Sequence, residues 1–288
     1  MKKLFGFDVT ESAENAVIDG QVFCTKHIAP EHEAELEKLN QEGDDLEKES
    51  VLPLPLRILS TIFTGLFVIA VTVDVRLLFD ILAGDLTISQ AYHNAPFIFY
   101  AEAAVIVLFA ILTAAKIKQS KKVFQSTDYA DHTGSLNLAI DESFRQLGIP
   151  ENASVIDVLM SKYRIKNGKE KQIAFFNYNF INVPKYVYVE NACICFADAY
   201  EVLEIPLSSV KSIKKVKKRA MFPNWNKNDP PSSKNYKKYK IAMNNQNVYY
   251  AHYYSVLIED IRGDFELFIP NYDIETFSAL TAIRIDED

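Results

Sequence analysis

Residues 58–83, ILSTIFTGLFVIAVTVDVRLLFDILA, decide the architecture together with 95–115, APFIFYAEAAVIVLFAILTAA. A helix rises 1.5 Å per residue, so crossing a bilayer core takes about 20 mostly apolar residues. Both runs meet that length, which core helices of soluble proteins rarely do. They lie too deep in the chain for a secretory leader, and the opening MKKLFGF holds only a stub of apolar residues before Asp8. Lys38, Lys48 and Arg57 precede the first run; Lys116, Lys118, Lys121 and Lys122 follow the second; the linker 84–94 has no Lys or Arg. The distribution of positive charge predicts a transmembrane α-helical hairpin over 58–115 in the cell (inner) membrane, with both termini cytoplasmic.

Four ionisable residues interrupt the apolar runs: Asp74, Arg76, Asp80 and Glu102. Each costs about 2.5–3.5 kcal/mol against lipid at mid-membrane. Arg76 and Asp80, four apart, share a helix face. Arg76 lies eight residues before the linker and Glu102 eight after it, so the two reach similar depth. An Arg76–Glu102 contact between the helices is expected, shared with Asp74 or Asp80. Two other readings stay open: a first helix that ends near Val73 and leaves the charges at the outer surface, and a role in ion or proton transport within an oligomer.

Working outward from the hairpin, the 288 residues are 49% hydrophobic and 24% charged, which excludes wholesale disorder. Three cysteines are too few for a disulfide framework. The net charge of −7 excludes a nucleic-acid binder by composition, but it hides a segregation. Residues 1–57 carry 6 Lys/Arg against 13 Asp/Glu, residues 162–240 carry 17 against 6, and residues 241–288 carry 2 against 9. The surface is therefore expected to be polarised. Residues 1–57 read as an acidic N-terminal cytoplasmic segment with a short charged helix after Pro30. Cys24, His27 and His32 lack a fourth metal ligand and read as a free cysteine with solvated histidines.

Residues 116–153 read as a basic stem and a linker helix whose periodic part, 136–147, stops at Gly148 before Pro150. From 154 the pattern changes to strands. Runs 155–165 and 169–176 flank Asn167-Gly168, a turn pair that accepts positive φ. Short strands are expected at 186–189, 192–196, 202–205, 210–221 and 239–243, then at 253–259 and 265–269 across Arg262-Gly263. Ile274, Phe277, Leu280 and Ile283 have the spacing of an amphipathic helix.

Two of these stretches resemble a known family. EVLEIPLSSVKSIKKVKKR, 201–219, looks like the bacterial pleckstrin-homology-like (PH-like) pattern in which a strand runs into I-P-L-S-x-V/I and then a basic strand. FELFIPNYDIETFSAL, 265–280, is similar to the last strand and capping helix of that family. The resemblance covers about 155–288 and extends loosely to two-span bacterial membrane proteins that carry such a domain. It implies an α+β chain: the hairpin, then a cytoplasmic PH-like antiparallel β-sandwich or barrel over 154–288, capped by a C-terminal helix. These signatures concern packing and turns and name no ligand.

No motif for phosphate binding, dinucleotide binding, zinc hydrolysis or a serine nucleophile occurs, so neither catalytic residue, metal nor cofactor is expected. Cys193 and Cys195 fall in a predicted strand, and one is expected in the core and the other at the surface. The binding candidate is the basic run Lys211, Lys214, Lys215, Lys217, Lys218 and Arg219, followed by Lys227, Lys234, Lys237, Lys238 and Lys240. As a regular strand it sets Lys215, Lys217 and Arg219 on one face and Lys214, Val216 and Lys218 on the other, which leaves little for a core and points to a solvated edge or a bent strand. Anionic lipid head groups, protection of a sheet edge, and an acidic protein partner are the competing readings; nucleic acid is not expected. The loop 222–233, FPNWNKNDPPSS, holds the single Trp, which is expected to pack back on the sandwich. The sequence points to a non-enzymatic scaffold anchored in the bilayer that presents an interaction domain to lipid or to a membrane or cytoplasmic protein. The alternative is an accessory subunit of a transport or secretion complex.

Overall fold

The computed structural model describes residues 2–8, 21–167, 169–174, 177–223, 234–244 and 247–286. The Gly168 half of the expected turn, Trp225 and most of the 222–233 loop lie outside the described residues. The chain divides into two compact units, Met1–Glu33 with Ile140–Asp288, and Ala34–Ala139.

The helical elements are α1 (Pro30–Glu49), α2 (Leu54–Leu82), α3 (Ile88–Asn94), α4 (Pro96–Phe124) and α5 (Thr127–Leu147). α2 begins with Pro53 at its N-cap and Pro55 in its first turn, where the missing N–H costs nothing. α4 starts the same way on Pro96. α4 and α5 take up most of what reads as a basic stem, so the helix expected at 136–147 begins at Thr127. It ends where expected, at Gly148 with φ 71°. The linker contains α3, closed by a reciprocal pair of hydrogen bonds between Thr87 and Gln90.

α2 and α4, 29 residues each, have mean hydropathies of 2.1 and 2.3 and are long and apolar enough to cross a membrane. Only 6% of each apolar window is buried. A soluble protein would cover such a surface; here Ile62, Ile69, Leu78, Val107 and Ile111 stand exposed.

The strands are β1 (Lys2–Lys3), β2 (Gly6–Asp8), β3 (Cys24–His27), β4 (Ser154–Lys166), β5 (Lys169–Gln172), β6 (Phe180–Glu190), β7 (Cys193–Ala197), β8 (Glu201–Pro206), β9 (Val210–Phe222), β10 (Ala242–Met243), β11 (Tyr249–Asp260) and β12 (Gly263–Pro270). Between β9 and β10 lies the short helix α6 (Lys234–Lys238), and α7 (Ile274–Thr281) follows β12. One sheet runs β2-β4-β6-β7-β8-β3 with β5 on β4; the other runs β1-β12-β11-β10 with β9 on β11. Their inner faces share a core of Phe23, Ile156, Val187, Phe196, Ile213, Val256, Phe265 and Phe277.

This arrangement corrects the reading of 1–57 as a separate acidic segment. β1 pairs parallel with β12 and β2 pairs parallel with β4, so seven residues cross from one sheet to the other. β3 extends the first sheet beyond β8. Leu4, Phe5 and Phe23 are buried in the shared core. Pairing across more than 150 residues leaves no local periodicity, and strands of two to four residues are too short to show alternation. His32 is also not solvated: it is buried, with Nε2 3.1 Å from the Ser143 hydroxyl.

Candidate functional site: the basic edge strand

β9 is anchored inward at both ends. Ile213 lies opposite Val256, Ala220 opposite Ala251, and Phe222 opposite Tyr249. All three β9 residues are fully buried. Ile213 and Ala220 are seven apart, an odd spacing, so strict alternation cannot turn both inward. The register slips between Lys215, opposite Tyr254, and Arg219, opposite His252, where three β9 residues face Tyr253 alone. Such a bulge bends a strand and re-aims its side chains.

The bulge replaces regular two-faced alternation with a bend in the strand. Val216 packs on the aromatic cluster around Phe222 and Tyr236, while Lys211, Lys214, Lys215, Lys217, Lys218 and Arg219 are all exposed. Among the described residues none of the six makes an ion pair. β9 is an outer strand whose free edge is touched at two points: Asp286 N–H donates to the Ile213 carbonyl at 2.9 Å, and Asn179 N–H donates to the Met221 carbonyl at 2.9 Å. Among the described residues nothing else pairs with this edge, and all of the cations except Lys211 lie between the two points.

Register also brings in a residue outside the basic run. His252, opposite Arg219, has its Nδ1 buried without a partner among the described residues. Burial, then the charges of Lys215, Arg219 and Lys240, hold its pKa below the ordinary histidine value, and only the Val216 carbonyl opposes them. A depressed histidine pKa means that the unfolded state takes up protons first as pH falls. Stability is therefore fullest above the ordinary value of about 6.5 and declines as pH drops toward the lowered one. Melting midpoints measured from about pH 7.5 to pH 5 should fall for the native chain and stay flatter for His252→Gln.

Two of the expected site lysines behave differently. Lys237 is exposed on α6, but Lys238 pairs with Glu275 at 3.2 Å and lies 4.7 Å from the Tyr239 ring centroid. Its charge is already compensated, which removes it from the open basic surface.

In the hairpin, Phe67 stacks on Phe109 with centroids 4.3 Å apart. Seven residues on from Phe67 and seven back from Phe109, two turns in each helix, Asp74 meets Glu102. Arg76 is two residues further, turned by about 200°, and the expected Arg76–Glu102 contact is not made. Counting depth from a symmetric linker missed this register. Arg76 and Asp80 are exposed along α2.

Cys24 and Cys195 are held as thiols. Burial and Glu201 push Cys24 up to about 11, and burial with Glu204 and Glu190 does the same for Cys195. Among the described residues no group of three or more His, Cys, Asp or Glu is placed to hold a metal ion. Comparison with family models, curated proteins and solved structures finds no match for this chain.

Proposed function

We propose that the protein is a non-enzymatic membrane-anchored scaffold whose PH-like β-domain, on the cytoplasmic side, engages an anionic lipid surface through β9. The observation that carries this reading is the exposure along bulged β9 of six cations that make no ion pair among the described residues. The PH-like assignment is supported by strand order: a meander β4-β6-β7-β8, then β9, β11 and β12 on a second sheet, then α7. Pairing of β1 with β12 supports the hairpin, because it requires both chain ends in one compartment and hence an even number of crossings.

The test uses the full chain in nanodiscs of neutral lipid, mixed with vesicles that are neutral or anionic. Binding should be confined to anionic vesicles and should weaken with salt. Changing Lys215, Lys217, Lys218 and Arg219 to Gln removes four charges, each contributing about 1 kcal/mol near an anionic surface, so partitioning should fall by roughly a thousandfold. Equal binding to neutral vesicles, or no binding at all, refutes the reading and leaves edge protection or an acidic protein partner.

The exposed Arg76 and Asp80 favour a second reading, in which partner helices cover them and the chain is an accessory subunit of a transport or secretion complex. Native gels of solubilised membranes should then show a large species that Arg76→Leu abolishes. Unchanged mobility discards this alternative.

A further inference from the structure

Where α2 and α4 leave their apolar runs, the helices frame a cavity of about 260 Å³ lined by Leu52, Arg57, Ser60, Thr61, Thr64 and Lys116. Arg57 is the residue just before the first apolar run and Lys116 the residue just after the second. In a spanning hairpin both therefore sit at the depth where hydrocarbon gives way to head groups. The two cations come from different helices and converge on one space with no carboxylate in its wall.

The ion pairs of this unit among the described residues are Lys38–Glu42, Lys48–Asp45 and the His132–Glu42 contact, so neither Arg57 nor Lys116 is committed to an acid. The threonine protons are already used. Thr61 donates to the Arg57 carbonyl at 3.0 Å and Thr64 to the Ser60 carbonyl at 2.7 Å. Their oxygens keep lone pairs that can still accept, on residues that line the cavity. The wall thus presents two positive donors beside hydroxyl acceptors, with Leu52 and the apolar flanks of the helices next to them.

We infer that this cavity binds one anionic phospholipid, its phosphodiester held by Arg57 and Lys116 and a hydroxyl-bearing head group of the phosphatidylglycerol class donating to Thr61 and Thr64. The inference rests on the hairpin spanning the membrane and is independent of the β9 surface. Basic clefts between helices at the membrane boundary are suited to such head groups, and a single phosphodiester matches two cations without leaving either unpaired.

The experiment is native mass spectrometry of the detergent-solubilised full chain, titrated with phosphatidylglycerol, with phosphatidylcholine or with inorganic phosphate. One phosphatidylglycerol should be retained in preference to phosphatidylcholine, and inorganic phosphate should not displace it, because the acyl chains hold it to the helices. Arg57→Gln with Lys116→Gln should weaken retention about thirtyfold, whereas Lys118→Gln with Lys121→Gln, an equal loss of charge outside the cavity, should leave it unchanged. Arg57→Lys with Lys116→Arg, which keeps both charges, should preserve retention and guards against misinsertion as the cause. Equal retention of the two lipids, displacement by free phosphate, or equal loss in both double variants overturns the proposal. A chain that stays dispersed without detergent and carries no lipid instead overturns the spanning hairpin itself.

Discussion

Phe23→Ala lowers the stability of the β-domain by about 4 kcal/mol, and a chain that begins at residue 28 does not form the two sheets. Phe23 is fully buried, its ring edge-on to Phe265 at 4.9 Å, with the Arg262 guanidinium 4.1 Å from its centroid. Arg262 in turn donates to the Val22 carbonyl at 2.9 Å and to the Asp260 carboxylate. Truncation empties a packed space and removes the aromatic face on which the Arg262 guanidinium stacks. Losing Leu4 and Phe5 as well opens both sheets at once, since β1 and β2 close one sheet each. Urea unfolding of the full chain in detergent, followed by near-ultraviolet circular dichroism, checks both results. A loosely attached N-terminus would leave the transition where it is.

The second large effect is expected at Asp157, which is buried at the start of β4. Its carboxylate accepts from the Tyr272 hydroxyl at 2.8 Å and from the Asn182 amide at 3.3 Å, while its backbone N–H donates to Asp273 at 2.8 Å. Burial and the nearby Asp157 charge push the Tyr272 hydroxyl well above its ordinary pKa, so it stays protonated as the donor. Asp157→Ala withdraws the acceptor from two buried donors at about 1–3 kcal/mol each, giving a loss near 3 kcal/mol. Asp157→Asn keeps an oxygen for Tyr272 and should cost clearly less. If the two variants melt together, the carboxylate is not what joins β4 to the segment that starts α7.

How much of this was legible follows from range. The apolar helices, the Gly148 stop and the strands from β4 to β12 rest on local composition and periodicity, and their approximate positions were readable. α7 proved shorter than its periodicity suggests because Ala282, at φ 57°, ends it. The N-terminal strands were not readable, because Leu4, Phe5 and Phe23 acquire meaning only against β4, β8 and β12. The basic run was plain in the sequence and its thin apolar content pointed to an edge or a bend, yet the position of the bend was not readable. The bulge arises from the odd spacing of Ile213 and Ala220 measured against β11, and His252 joins the site only through that register. The Asp74–Glu102 meeting likewise depends on Phe67 stacking on Phe109, a packing choice that a count of helical rise does not contain.

The crossing of residues 2–8 between the sheets has a consequence for how the chain is made. Synthesis at about 5–20 residues per second separates the first strand from its partner β12 by roughly 13–50 s. Throughout that interval Leu4, Phe5 and Phe23 have no core to enter, while the two apolar helices that follow them have already been made. The β-domain must therefore fold last, recapturing a leading segment that precedes the apolar helices in the chain. Pulse-labelled nascent chains should remain open to protease at residues 2–8 and 21–27 until translation passes β12, and then close in one step.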